Sequence, residues 1–211
     1  MIKIDIFSDT ICPWCYIGKK KLEKILTYFP NCEFKITWRP FQLNPDMPNQ
    51  GIKRLDYLVK KFGSIENANE VYNSINHTGK NLGIFFQFNK IKKTPNSFAS
   101  HKLLALGHKQ DKQNEIIESI FYAYFIEGKD IGNQKELIKI GKQHNLNELE
   151  TKKYINSNED KLNLLNEEIQ AKKMGIKGVP CFIINKEYVI FGVQEENKFI
   201  NLFKNLINNN D

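Results

Sequence analysis

Two cysteines spaced by two residues, Cys12 and Cys15 in the run Ile11-Cys12-Pro13-Trp14-Cys15-Tyr16-Ile17-Gly18, are the part of this 211-residue chain best equipped for chemistry. Such a pair can close and reopen a small-ring disulfide, or it can supply half of a tetrahedral zinc site. A zinc site would need a second pair of ligands. The remaining cysteines, Cys32 and Cys181, stand alone, and no histidine lies three to five residues from another. Placement favours redox chemistry. The pair follows an alternating apolar run and heads a helix-like pattern, and a thiol at a helix start is acidified by unpaired N–H groups and by the helix dipole. Dithiol–disulfide exchange is the leading expectation, with a metal site or an inert pair as the alternatives.

The elements that must position the pair can be read around it. Ile2, Ile4 and Ile6 alternate with Lys3, Asp5 and Phe7, a strand pattern. Leu22, Ile25, Leu26 and Phe29 recur at helical spacing until Pro30 and Asn31, and Phe34, Ile36 and Trp38 alternate again. The start of the chain therefore reads as a βαβ unit with Cys12 at its first strand-to-helix junction. Near the other end, a helix through Leu162, Leu165 and Ile169, opened by Ser157 and Asp160, stops at Gly175. Two apolar runs, Val179 to Ile184 and Tyr188 to Phe191, then flank a polar turn at 185–187, as in an antiparallel hairpin. A closing helix carries Phe199, Ile200, Leu202, Phe203 and Leu206.

Between these ends the patterning is helical. Pro40, Pro45 and Pro48 make residues 40–51 a long connection. Two short helices follow, the first from Ile52 to Gly63 and the second from Ile65 to Gly79. Thr94-Pro95 reads as the cap and first turn of a helix bearing Phe98, Leu103, Leu104 and Leu106. Ile116 to Phe125 forms the next, and Asn133 with Glu136 resembles a capping box for another through Leu137 and Ile140. The expected class is α/β. Residues 1–43 and 175–211 form one discontinuous sheet domain, and 44–174 an inserted helical domain whose last helix, about 158–174, leads back to the sheet.

Composition narrows the setting. The chain has 31 Lys and Arg against 24 Asp and Glu, a net charge of +7. The lysines are scattered among acids, which points to solvated faces and to no nucleic-acid partner, although Lys19-Lys20-Lys21 and Lys90 to Lys93 could favour acidic substrates. The N-terminus alternates charge and hydrophobe, unlike a signal peptide, and no apolar run is long enough for a bilayer. A soluble, cytoplasmic protein without a membrane partner is expected, where a disulfide is more often catalytic than structural.

Cys12-Pro13-Trp14-Cys15 near the start, with Gly178-Val179-Pro180 before the late hairpin, resembles the thioredoxin superfamily, and more narrowly the FrnE-like branch of the DsbA family. The segments Trp38 to Pro45, Pro95-Asn96-Ser97 with His101, Ala123 to Gly128, and Gly175 to Pro180 are similar to that branch. The resemblance implies a thioredoxin-like fold with a large helical insertion. It implies a thiol–disulfide oxidoreductase with Cys12 as the exchanging sulfur at the solvent end of the helix and Cys15 as the buried resolving thiol. Pro180 would be a cis proline against the cysteines, and Val179 would offer backbone hydrogen bonds to an extended substrate. Pro13 and Trp14 would border the substrate, Trp14 either shielding the disulfide or offering an apolar surface. Asn96 and His101 would line a pocket where the insertion overlies the cysteines, against the plainer reading of a structural polar pair.

No bound cofactor and no metal are expected. Partners would be a thiol- or disulfide-containing protein or small molecule, with glutathione or another thiol as redox partner, and the protein a monomer or homodimer. Related proteins of this architecture include 2-hydroxychromene-2-carboxylate isomerase and kappa-class glutathione transferase. They typically carry serine at the position of Cys12 and lack the second cysteine, so the intact pair favours redox chemistry over an isomerase or transferase. A peptide-binding or chaperone-like module using the groove beside Pro180 is the non-enzymatic alternative. Cys181 departs from the family pattern and is read as a small buried hydrophobe unless it faces Cys12 as a third thiol; Cys32 is read as inert. His77, His108 and His144 are assigned no role.

Overall fold

A computed structural model describes residues 1–208; the last three residues of the expected 175–211 segment lie outside the described residues. Strand β1 (Ile2–Ser8), helix α1 (Pro13–Leu26) and strand β2 (Phe34–Pro40) open the chain. Strand β3 (Ile52–Lys53), helices α2 (Arg54–Phe62) and α3 (Ile65–Lys80), and strand β4 (Lys93–Thr94) follow. Next come α4 (Phe98–His108), α5 (Gln113–Phe125), α6 (Gln134–Gln143), α7 (Glu148–Asn156) and α8 (Lys161–Lys173). Strands β5 (Cys181–Ile184) and β6 (Tyr188–Phe191) and helix α9 (Glu196–Asn208) complete it. The result is a mixed α/β arrangement with a helical insertion, as the patterning implied, and it has the thioredoxin-like form that the resemblance implied.

The main sheet has the order β2-β1-β5-β6, with β1 parallel to β2 and antiparallel to β5. Successive strand residues point to opposite faces, so β1 serves two layers. Ile2, Ile4 and Ile6 are buried in the large cluster that includes Ile17, Ile25, Phe182, Phe199 and Phe203 from α1, β5 and α9. Phe7 joins Phe41, Ala171, Ile176 and Cys181 under α8 on the other face. The late hairpin turns through three residues, 185–187, in which Asn185 and Lys186 are both at positive φ and Glu187 N donates to Ile184 O, and Asn185 Oδ1 accepts from Lys3 N.

The helical region docks on the β2 edge of this sheet. The Gln113 side-chain amide accepts from Trp38 N at 2.8 Å and donates to Trp38 O at 3.0 Å, taking the place of a further strand. Glu118 of α5 accepts from Tyr16 Oη and from Lys19 Nζ of α1, and Lys19 is only 4 % exposed. The main apolar cluster runs from the sheet into α4 and α5 without a break.

Several local expectations differ from the structure. Thr94 caps no helix: its backbone pairs with Ile52 and its hydroxyl accepts from the buried Arg54, while α4 starts three residues after Pro95 with Ser97 as its cap residue. Ile52 accordingly belongs to a strand, and α2 begins at Arg54. Ser157 closes α7 and does not open α8, and Asp160, at φ 54°, caps no backbone N–H of α8, its carboxylate accepting instead from Tyr154, Lys109 and the Asn163 side chain. Among the described residues, no helix is long and apolar enough to cross a membrane.

Candidate active site

Because β1 and β5 are antiparallel neighbours with Phe7 opposite Cys181, the end of β1 and the start of β5 meet at one edge of the sheet. The cysteine loop leaves from that edge, and Val179-Pro180 arrives there. Cys12 is the residue preceding α1, with φ −93° and ψ 113°, and Pro13 occupies the first helical position, where a missing N–H costs nothing. The Cys15 and Tyr16 amides donate to Cys12 O. Cys12 Sγ thus stands at a helix N-terminus, the electrostatic setting that favours a thiolate. Across the loop, the Cys12 thiol donates to Val179 O at 3.7 Å.

Both cysteines are free thiols. Cys15 is fully buried, and burial, followed by the neighbouring Cys12, holds its thiol well above the ordinary value. Ser8 Oγ and the Asp9 amide face it and act in the opposite direction. Cys12 is not at an open solvent end: it is 3 % exposed, enclosed where the Val179 carbonyl closes over the loop. Tyr72 of α3 is pushed up to about 12, chiefly by burial, with the charge of Cys12 among the lesser contributors.

The Val179–Pro180 bond is cis. Pro180 packs on α1 at Gly18, where an added Cβ would lie 3.1 Å from Pro180 Cγ and 3.2 Å from Phe182 Cζ. A cleft of about 500 Å³, lined by Gly175, Lys177, Gly178, Val179, Pro180 and Phe191 with Gly192, runs from the cis bond to the end of the hairpin. Pro180 O is taken by Gly192 N at 2.8 Å. Pro13 and Trp14 are half-buried and do not line that cleft, Trp14 packing against the main core.

Asn96 and His101 do not line that cleft. Asn96 Oδ1 accepts from Gln42 Nε2 and Phe98 N, and its Nδ2 donates to Met47 O at 2.6 Å. It stitches the 40–51 connection to the start of α4, leaving its amide occupied within the protein. His101 is 3 % exposed and faces the back of the cysteine loop, with Nε2 3.7 Å from Asp9 Oδ1.

Cys181 lies in the cluster on the face of β5 away from Cys12 and Cys15, and burial pushes its thiol up to about 11. It is a buried apolar side chain there. Cys32 is half-buried, and its thiol contacts only Glu33 O among the described hydrogen-bond partners. No group of three or more His, Cys, Asp or Glu side chains suited to a metal occurs among the described residues.

Sequence reading alone missed Asp9, Ser8 and Tyr72. The available signal for Asp9 was an acid directly after a strand, in the short junction that leads to the cysteine pair.

Residues 3–204 match the model of the DSBA-like thioredoxin domain family. The uncharacterized protein YwbO of Bacillus subtilis (strain 168) is 25 % identical over 189 residues, 87 % of this chain and 86 % of its own. The crystal structure of a probable DsbA oxidoreductase, SCO1869 of Streptomyces coelicolor, superposes with a TM-score of 0.87 at 22 % identity, covering 96 % of this chain and 88 % of that one. The cytosolic disulfide reductase DsbM of Pseudomonas aeruginosa superposes with a TM-score of 0.70 at 11 % identity over 98 % of both chains, and it has also been solved with glutathione (TM-score 0.65, 11 % identity, 98 % of this chain and 99 % of that one).

Proposed function

From its membership in the DSBA-like thioredoxin domain family, to which this chain belongs across nearly its whole length, we propose that the protein is a thiol–disulfide oxidoreductase that works through a Cys12 mixed disulfide. The observation that carries the reading is the placement of Cys12 before α1, with Cys15 one turn in and the Val179–Pro180 bond across the loop.

In the reducing direction, the Cys12 thiolate attacks one sulfur of a substrate disulfide. A Cys12–S–R bond forms, the substrate S–S bond breaks, and the leaving thiolate departs with its electron pair and is protonated by water. Cys15 then loses its proton, and its sulfur attacks Cys12 Sγ. The intramolecular disulfide forms, and the second substrate thiolate leaves. The substrate has gained two electrons and the protein has lost two. Two molecules of glutathione, or another thiol pair, return the protein to the dithiol. Run backwards, the same steps oxidise a dithiol, and the potential of the pair decides the net direction.

Cys15, buried and with its thiol held up, stays protonated until the mixed disulfide forms, which gives the substrate sulfur time to seat against Val179. The cleft along Gly178 to Pro180 and Phe191 suits an extended peptide or a small thiol. A cytoplasmic setting and a glutathione partner are part of this proposal, in line with the DsbM neighbour.

The test is a trap. Replacing Cys15 with Ala should accumulate covalent adducts on Cys12, released by reductant and identified by peptide mass. Unaltered activity with both cysteines replaced would overturn the reading in favour of a transferase or a binding module.

A further inference from the structure

Three buried side-chain polar atoms lack a hydrogen-bond partner among the described residues: Ser8 Oγ, His101 Nε2 and Thr151 Oγ1. One of them, His101 Nε2, stands 3.7 Å from Oδ1 of an acid, Asp9, that precedes Cys12 by three residues, and Ser8 Oγ faces Cys15 on the same loop. Asp9 is fully buried. Its Oδ1 accepts from Ile11 N at 3.3 Å, its Oδ2 accepts from Leu43 N at 2.7 Å, and its carbonyl accepts from Cys12 N at 3.0 Å. The turn that presents Cys12 is built on this side chain. A buried carboxylate with two amide donors still calls for a counter-charge. The cationic candidate within 4 Å is His101, and the adjacent Ser100 fixes α4 to the same loop through Thr10, Oγ to Oγ1 at 2.7 Å.

Behind His101, a cavity of about 160 Å³ between β2, α4 and α8 has room for several waters. The charged groups facing it are Arg39 from β2, His108 from the end of α4 and Lys109 just after it, Glu167 from α8 and Asp160 just before it. Arg39 pairs with Asp5 and Glu167, and Lys109 with Asp160 and Glu159. On the loop side the titratable neighbours are Asp9, Cys12 and Cys15.

We propose that His101 is a positioning residue for the redox pair, acting through Asp9: it carries the counter-charge of that carboxylate and exchanges its proton with solvent through the cavity. With the imidazole protonated, the charge of Asp9 is cancelled and the helix N-terminus acts on Cys12 unopposed. With it neutral, a bare carboxylate beside the loop opposes a second negative charge on Cys12. The proton comes from cavity water and returns to it, and no electrons move. This role rests on the oxidoreductase reading for its purpose, but its electrostatics can be measured without a disulfide substrate.

The experiment follows alkylation of Cys12 by iodoacetamide in the full, reduced chain from pH 4 to 9, with Cys12 read by peptide mass. The wild type should depart from a one-proton curve. His101→Gln should follow a one-proton curve and react roughly tenfold more slowly at pH 6, and adding Asp9→Asn should restore the rate. His108→Gln should keep the wild-type profile. Superimposable wild-type and His101→Gln profiles would overturn the proposal, as would an Asp9→Asn change that leaves the His101→Gln deficit in place, or a deficit found instead in His108→Gln. If His101→Gln does not fold, the wild-type curve decides: one proton overturns, two support. Absence of mixed disulfides in the Cys15→Ala chain would instead sink the oxidoreductase reading while leaving this electrostatic result intact.

Discussion

The thiol of Cys12 lies 3.7 Å from the carbonyl oxygen of Val179, a residue 167 positions away. Sheet topology brings them together: β1 runs up to the cysteine loop, and β5 runs antiparallel beside it, so the residues just before β5 stand where β1 ends. A substrate sulfur bonded to Cys12 must displace that thiol from the carbonyl, which frees Val179 O to accept from the substrate backbone.

This closure depends on Gly18. A helix interior normally gains up to about 1 kcal/mol from Gly to Ala, but here the new methyl would press on Pro180 Cγ at 3.1 Å and Phe182 Cζ at 3.2 Å. Both neighbours are buried, and overpacking costs about 1–3 kcal/mol. Gly18→Ala should therefore lower the melting temperature by about 2–4 °C and slow mixed-disulfide formation at Cys12. A variant as stable and as fast as the wild type would show that Pro180 yields.

Cys181 neighbours Pro180 in sequence, but its side chain belongs to the Phe7, Phe41, Ala171 and Ile176 cluster. Cys181→Ala should leave disulfide exchange unchanged and cost about 1 kcal/mol of stability from the lost sulfur contacts. Peptide mapping after mild oxidation should find Cys12–Cys15 and never a bridge to Cys181. A Cys12–Cys181 bridge in folded protein would contradict this placement.

Arg54 is 7 % exposed and donates to Thr94 Oγ1 at 3.0 Å, to Tyr124 Oη at 3.4 Å and to Tyr72 Oη, with the rings of Tyr57 and Tyr72 against its guanidinium. Burial holds the Tyr72 and Tyr124 phenols up, so both remain neutral acceptors at pH 7. Lysine keeps the charge but not the fork. Arg54→Lys should cost about 2 kcal/mol in denaturant unfolding; equal stability would mean that charge alone holds the cluster.

The parts of this molecule legible in its sequence are those with a strong period or an unusual residue: the alternation of Ile2, Ile4 and Ile6, the helical spacing after Cys15, the hairpin from Cys181 to Phe191, and the cysteine pair itself. The two-residue pairing of β3 with β4 is too short to carry a period. Helix α7 escaped because Leu149 is exposed while Thr151 is buried, inverting the apolar signal. The sequence singles out His101 but not the side of the cysteine loop on which it sits; only the register of α4 against the loop shows that it stands behind Asp9. Polar pairs made across the fold leave no local trace.

Asp160 offers a pH test of how α7 and α8 are held. Its carboxylate accepts from Lys109 Nζ and from Tyr154 Oη, each at 2.6 Å, and these bonds hold its pKa at about 2, below the ordinary 3.8. Because the folded value is the lower one, the stabilisation is present above pH 4 and is lost as pH falls from about 4 to about 2. The carboxylate is partly exposed, so solvent screening reduces the gain to about 1 kcal/mol. Asn tolerates the left-handed backbone at φ 54°, so Asp160→Asn removes the charge without straining the turn. In denaturant titrations the variant should be less stable than the wild type by about 1 kcal/mol at pH 7. The two should converge only as pH falls through about 2. A gap that stays constant across that range would show that the carboxylate's charge is not what ties Lys109 and Tyr154 to the start of α8.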